Sequence, residues 1–329
     1  MDLSSEPSSS EKKQTLGVIS MWKYTFKRFL WAIATLWVII TVTFIIMKAI
    51  PGDPFAKDGG LPETVQKNLH RHYNLDKPEI VQYGLYLKSI LQFDFGPSMK
   101  HRSITVNDYI KKGFPISLHL GLQALIFAIS FGLILGVVAA LYRNKWPDYA
   151  SMVIAIIGVS VPSFVLATFL INYVAVQWNL LPVATWQSWS HTILPTISLA
   201  MMPLAYIARL MRSSMLEVMN QDYILTAKAK GLKQSTIIIK HAIRNAILPV
   251  VTVLGILTTN LVTGSFIVEY IFGIPGMGEM FVTSIFNRDY SVILGSTVFY
   301  SAILIFLIFI VDVAYTWIDP RIKITEEGS

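Results

Sequence analysis

Residues Phe114 to Leu141 read FPISLHLGLQALIFAISFGLILGVVAAL, with no Lys, Arg, Asp or Glu anywhere in the run. A helix that crosses a hydrocarbon layer of about 30 Å needs about 20 such residues. The run is too long for a core helix and too uniformly apolar for a surface one. It therefore reads as a membrane span. Working outward, the same pattern recurs at Phe29–Met47, Tyr149–Val176, Thr192–Ala208 (shorter, with Pro195 and Pro203), Pro249–Val268 and Ser291–Val311. The fold class expected from these runs is an all-α integral membrane protein with six transmembrane helices.

Composition agrees. Of 329 residues, 53% are hydrophobic and 14% charged, against about 25% charged in soluble domains, and the mean hydropathy is +0.55. The absence of cysteine excludes disulfides, thiol nucleophiles and cysteine-held metals. A net charge of +7 would ordinarily point to nucleic acid or an anionic surface. Here the basic residues lie mainly in a few connections between spans, which fits topology and implies no nucleic-acid partner.

Counting Lys and Arg in those connections orients the chain. One side receives Lys12, Lys13, Lys23, Lys27 and Arg28, the Arg143-Asn-Lys145 turn, the Arg209–Arg244 segment, and Arg321 and Lys323. The opposite side receives a 177–191 loop without Lys or Arg and a 269–290 loop with Arg288 alone. The 49–113 segment on that side carries nine basic residues, but segments of about 60 residues cross largely regardless of charge. Both termini are thus expected in the cytoplasm. The organisation that follows is a polar, disordered 1–22 segment, a first span over 23–48 and an external 49–113 segment. A membrane-spanning core over 114–318, with a cytoplasmic loop over 209–248, and a tail over 319–329 complete it. The first run follows Lys27-Arg28 and lacks a small-x-small cleavage site, so it is an anchor and not a removed signal.

The segment between the fourth and fifth spans carries most of the functional information. Arg209–Arg244 holds seven basic residues against Glu217 and Asp222. Its centre, DYILTAKAKGLKQST from Asp222, offers a short helix with Asp222 as its cap and Gly231 as a left-handed end. A second helical run, Ser235–Leu248, follows. Such a helix across the cytoplasmic mouth can be gripped by a partner's groove, with Ala227 and Ala229 allowing close approach. A basic loop that only satisfies topology and touches anionic lipid is the other reading of the same residues.

The wording of this segment resembles the membrane permease of ATP-binding-cassette (ABC) importers. That family marks its cytoplasmic coupling loop with Glu-Ala-Ala and a Gly four residues after the last Ala. Here the positions are Leu225, Thr226, Ala227 and Gly231, without the opening Glu or the first Ala. The departures resemble the peptide-importing branch, as does His241-Ala-Ile-Arg-Asn-Ala-Ile-Leu-Pro249. Ile50-Pro-Gly-Asp-Pro54, Phe93-Asp-Phe-Gly-Pro-Ser98, Asn287-Arg-Asp-Tyr-Ser291, and Val311-Asp-Val with Ile318-Asp-Pro-Arg321 look like the B-type subunit of oligopeptide importers. The resemblance covers nearly the whole chain after residue 22. It implies a type I ABC importer permease fold in a bacterial cytoplasmic (inner) membrane. It also implies a homologous second permease subunit, two cytoplasmic P-loop ATPases and an external peptide-binding protein. Coupling to the ATPases would run through Leu225, Thr226, Ala227, Lys228, Ala229, Lys230, Gly231 and Leu232.

No Gly-x4-Gly-Lys-Ser/Thr phosphate loop occurs; Gly231-Leu-Lys-Gln-Ser-Thr is not one. The chain is expected to be no enzyme and to bind no cofactor, with ATP and Mg on the partner ATPases. His70-Arg-His72 lacks a third ligand, so no metal site is assigned. Among ionisable residues in the spans only Asp312 and His119 come close to membrane depth, which favours ATP drive over ion coupling. Asp312 reads as an interface-level residue pairing with a neighbour. Pro162, Pro195, Pro203, Gly255 and Gly264 permit kinks and close packing. The Tyr270–Phe281 loop is either re-entrant or an ordinary connection. Alternatives are a permease of the same family for dipeptides, nickel chelates or short sugars, and, from other classes, an ion-coupled carrier or a membrane scaffold.

Overall fold

The computed structural model describes residues 9–50, 55, 62–101, 103–183, 185–262 and 266–318, with side chains over residues 25–313 of these except 262. The described residues are almost wholly helical. Among the described residues four helices are long and apolar enough to cross a membrane, and the number rises to six when each of two bent pairs counts as one span.

Helix α1 (Ser9–Ala49) supplies the first span over Thr25–Ala49. Helix α1 continues back from that span through the described part of the 1–22 stretch. Residues 1–8, the Pro51–Pro54 part of one quoted motif, Gly264 and the 319–329 tail lie outside the described residues. The external segment contributes α2 (Glu63–His72) and α3 (Glu79–Leu91), neither of which buries a residue of its own. Helix α3 leans on the outer end of α1, where Phe44 meets the rings of Tyr83 and Tyr86.

Helix α4 (Val106–Leu141) begins well before Phe114. Thr105-Val-Asn-Asp108 forms a capping box: the Asp108 amide donates to Thr105 Oγ1 at 3.2 Å, and the Thr105 amide to Asp108 Oδ2 at 2.9 Å. The expected external segment thus gives its last residues to the second span. The third span is α5 (Trp146–Ser160) and α6 (Ser163–Leu170), the latter continuing as a π-helical stretch over Ile171–Gln177. The unbroken helix expected over Tyr149–Val176 is corrected here: the two halves meet at 109°. Pro162 has no N–H to continue the ladder and holds Val161 extended (φ −94°, ψ 119°).

Helix α7 (Trp189–Met219) stays continuous through Pro195 and Pro203 and runs past the membrane on the cytoplasmic side. It is followed by α8 (Asp222–Ala229), α9 (Gln234–Thr236), a π-helical stretch over Ile237–Ile243 and α10 (Arg244–Ala246). Helix α11 (Leu248–Val262) leaves that assembly at a 49° bend. Helices α12 (Phe266–Ile271) and α13 (Met277–Asn287) form a hairpin before α14 (Tyr290–Ile318), the last span. The fifth span expected over Pro249–Val268 is described as helix over Leu248–Val262, and Val268 lies in α12.

The core is the seam between α4 and α7. Ala124, Ala128, Gly132, Gly136 and Ala139 on α4 are buried and let the backbones approach. A Cβ on Gly132 would lie 2.9 Å from Ile207 Cβ, and one on Gly136 2.6 Å from Met211 Cβ and 2.7 Å from the Ala208 carbonyl. Small residues serve this purpose between membrane helices, where lipid supplies no hydrophobic drive for association. Helix α1 sits at the periphery and packs on α14. Phe29 meets Phe309 edge-on there, and Arg28 pairs with Asp312 at 3.0 Å, the partnered role expected of Asp312.

Candidate functional site

Two constellations stand at opposite ends of the α4–α7 pair. The cytoplasmic one is built on the extension of α7. Arg212 leaves α7 and grips Asp148, at the start of α5, with both arms of its guanidinium: Nε to Oδ1 at 2.6 Å and Nη2 to Oδ2 at 2.7 Å. Asp148 Oδ2 also accepts the Asn144 amide at 2.9 Å. Asp148 is buried and Arg212 mostly so, and the fork geometry suits a carboxylate. The pair fastens the turn between spans two and three to the shaft that carries α8.

Helix α8 turns off that shaft at Asn220-Gln221. Gln221 takes the N-cap position and makes no side-chain cap bond, so Asp222 lies in the first turn and is not the cap expected of it. Ile224 and Ala227, three residues apart, face inward and are buried, Ala227 at 7% exposure. Beneath them lies the π-helical stretch that begins at Ile237. This corrects the expectation that Ala227 would admit a partner, because its own chain occupies that side. Leu225 stands out at 54% exposure, flanked by exposed Tyr223 and Leu232. Thr226 is exposed and bonds back to the Asp222 carbonyl at 3.0 Å. Lys228, Ala229 and Lys230 are also exposed. Gly231 has φ +74° with open space around it, the left-handed end read from the sequence. The outcome is a short helix that presents an apolar knob edged by lysines.

The outer constellation escaped the sequence reading. Glu269 in α12 is wholly buried (0% exposed). Its Oε2 accepts the Ser117 hydroxyl of α4 at 2.8 Å and the Gly278 amide at 2.8 Å. Ser117 Oγ in turn accepts the Met277 amide at 3.0 Å. One carboxylate and one hydroxyl thus hold the Ile274–Gly278 turn against the outer part of the second span. Glu269 Oε1 and the neighbouring Tyr300 hydroxyl are buried and have no hydrogen-bond partner among the described residues. The signal available in the sequence was a lone acid in an apolar stretch followed by Gly273, Gly276 and Gly278. The loop is therefore a packed hairpin held against α4.

Two of the quoted motifs meet on the same side. Asp289, buried ahead of α14, accepts the Ser98 hydroxyl and, at 3.1 Å, the Met99 amide. Arg288 turns the chain there with φ +56°. His70 and His72 stand against the rings of Phe55 and Tyr73 respectively. His119 meets Trp186 edge-on.

Comparison with known proteins adds the following. Residues 132–324 match the family described as binding-protein-dependent transport system inner membrane component, and residues 21–120 match the N-terminal part of such components. The chain is 57% identical to the dipeptide transport system permease protein DppB of Bacillus subtilis, over 94% of this chain and 100% of that one. It is 43% identical to the oligopeptide transport system permease protein OppB of Haemophilus influenzae, over 92% of this chain and 100% of that one. Among solved structures, an inward-facing form of the MetNI methionine ABC transporter superposes with a TM-score of 0.51 at 21% identity. That match covers 64% of this chain and 94% of the other.

Proposed function

The chain belongs to the family of binding-protein-dependent transport system inner membrane components, and from that premise we propose that it is the pore-forming permease subunit of an ATP-driven peptide importer. It pairs with a second, homologous permease. Two cytoplasmic ATPases carry the ATP and Mg, and an external peptide-binding protein delivers the substrate. Relatives named for dipeptides and for oligopeptides both match over nearly the full chain, so peptides as a class are the cargo.

The observation that carries this reading is α8. An apolar side chain such as Leu225, exposed on a helix that stands on the cytoplasmic side, has no bilayer to bury it. A groove on an ATPase would. The Asp148–Arg212 grip then transmits motion of α8 through α7 into the spans, and nucleotide state selects between inward-open and outward-open arrangements through its different affinity for the two.

Gly231 tests the coupling role. A β-branched residue at φ +74° is strained by about 1–2 kcal/mol, enough to re-aim Leu232 without disturbing the spans. Gly231→Val is expected to insert and assemble normally. Uptake and peptide-stimulated ATP hydrolysis should drop by about tenfold, the factor that 1.4 kcal/mol represents. Normal uptake by this variant in reconstituted vesicles would count against the assignment. Affinity purification through the C-terminus should bring down the second permease and the ATPases. Solute movement by the lone chain without ATP would favour an ion-coupled carrier.

A further inference from the structure

We propose that the turn over Tyr142–Lys145, on the cytoplasmic side, is a binding site for an anionic phospholipid, with Arg143 and Lys145 holding its phosphate. The site requires the cytoplasmic placement of this turn and is independent of the cargo. Four residues join two membrane spans here, α4 ending at Leu141 and α5 beginning at Trp146. So short a connection reaches about 14 Å even when fully extended. It is tighter than that: the Lys145 amide donates to the Tyr142 carbonyl at 2.9 Å, and Asn144 takes φ +60°. Its side chains are therefore held at headgroup depth whatever the tilt of the spans.

Arg143 and Lys145 are exposed and make no ion pair among the described residues. Asp148, the acid in the first turn of α5, lies in the field of Arg143. It is turned inward, however, at 3% exposure, and its oxygens are taken by Arg212 and the Asn144 amide. The turn thus shows two positive charges on its surface without a counter-charge. Around them stand Tyr142, Trp146 and Tyr149, at 48%, 79% and 60% exposure, ring types that settle at the boundary of headgroups and acyl chains. A lipid of net negative charge satisfies the cations with its phosphate and covers the rings with its chains. A zwitterionic lipid brings its own ammonium to the same place and gains less. Because the Asp148–Arg212 grip fixes the turn before any lipid arrives, little ordering accompanies binding.

Depth separates this site from the lysines of α8. The Asp148–Arg212 contact marks the level of the turn on α7, and α7 continues from Arg212 to Met219 before α8 begins. Those seven further residues add about 10 Å along the helix axis. A partner that grips α8 therefore stands beyond the turn, and Arg143 and Lys145 stay level with the membrane surface.

The test takes the whole purified complex, delipidated in detergent and titrated with dioleoylphosphatidylglycerol or dioleoylphosphatidylcholine, and counts bound lipid by native mass spectrometry. Each basic residue at an anionic lipid surface is worth about fivefold in affinity. Arg143→Gln combined with Lys145→Gln should therefore bind phosphatidylglycerol about 25-fold more weakly at its tightest site, with phosphatidylcholine unchanged. Added salt should weaken wild-type binding at that site. Both side chains are exposed and without ion pairs, so the melting temperature in lipid-free detergent should not move. Arg143→Lys combined with Lys145→Arg, which keeps the charge, should keep the lipid. Equal retention of phosphatidylglycerol by the wild type and the double glutamine variant would overturn the proposal and leave other basic residues as the anionic-lipid contact. Loss of the lipid from the charge-conserving variant as well would trace the effect to damage of the turn and overturn it too. Loss of the ATPases from the double glutamine variant would make the turn a protein contact and not a lipid site.

Discussion

Gly276→Ala is expected to abolish uptake and to destabilise the complex, although the change adds a single methyl group. A Cβ at this position would overlap Glu269 Oε2 and come within 2.6 Å of Ser117 Oγ. The carboxyl cannot retreat without giving up the Gly278 amide and the Ser117 hydroxyl, and the Met277 amide loses its acceptor once Ser117 moves. Burial pushes the Glu269 carboxyl up to about 7, so the loss is one of hydrogen bonds at buried polar groups, about 1–3 kcal/mol for each group left without a partner. The result would be a hairpin detached from the second span, read as a clear fall in the melting temperature of the purified complex together with loss of uptake. Gly273→Ala supplies the contrast. Its φ of +57° makes any side chain somewhat strained, but nothing lies within 4 Å of the added Cβ. It should cost about 1–2 kcal/mol and retain most uptake. Equal behaviour of the two variants would remove the Glu269 hub from the explanation.

The second large effect is expected at Asp148 and Arg212. Asp148→Ala leaves a mostly buried guanidinium facing an empty site, and Arg212→Ala leaves a buried carboxylate with only the Asn144 amide. Each should destabilise the complex by about 3–5 kcal/mol. The double replacement should cost clearly less than the sum, because the second change removes the charge that the first stranded. Additive losses in thermal unfolding would show that the two residues act separately. Since the pair joins the turn before α5 to the shaft bearing α8, both single variants should also lose peptide-stimulated ATP hydrolysis while keeping the ATPases bound.

Spans were legible in the sequence because a bilayer imposes one simple demand, about 20 apolar residues in a row, and each of the six runs meets or approaches it. Breaks within them were harder to read. Pro195 and Pro203 lie inside a continuous α7, whereas Pro162 ends α5 and turns the chain by 109°. A proline's consequence depends on which neighbours satisfy the carbonyl it frees, and that is a property of packing. Thr105-Val-Asn-Asp108 was a readable helix start, passed over because charged residues follow it. Gly231 was read correctly from local chemistry. Ala227 was not, because its spacing from Ile224 mattered more than its size. Glu269 and Asp289 take their meaning from residues far along the chain, Ser117 and Ser98, which no local pattern joins. The motif resemblance had marked 93–98 and 287–291 separately without showing that they touch.

The peripheral place of α1 bears on how the molecule is made. Span α1 is synthesised well before α14, the span it rests on through Phe29 against Phe309 and Arg28 against Asp312. Throughout synthesis of the intervening chain it must therefore stay in the bilayer on its own hydrophobicity, with Arg28 held at the interface by lipid phosphates. Docking of α14 then closes the subunit like a clasp, and a chain truncated before Asp312 would be released from the insertion machinery with its first helix adrift, ready for quality-control proteolysis.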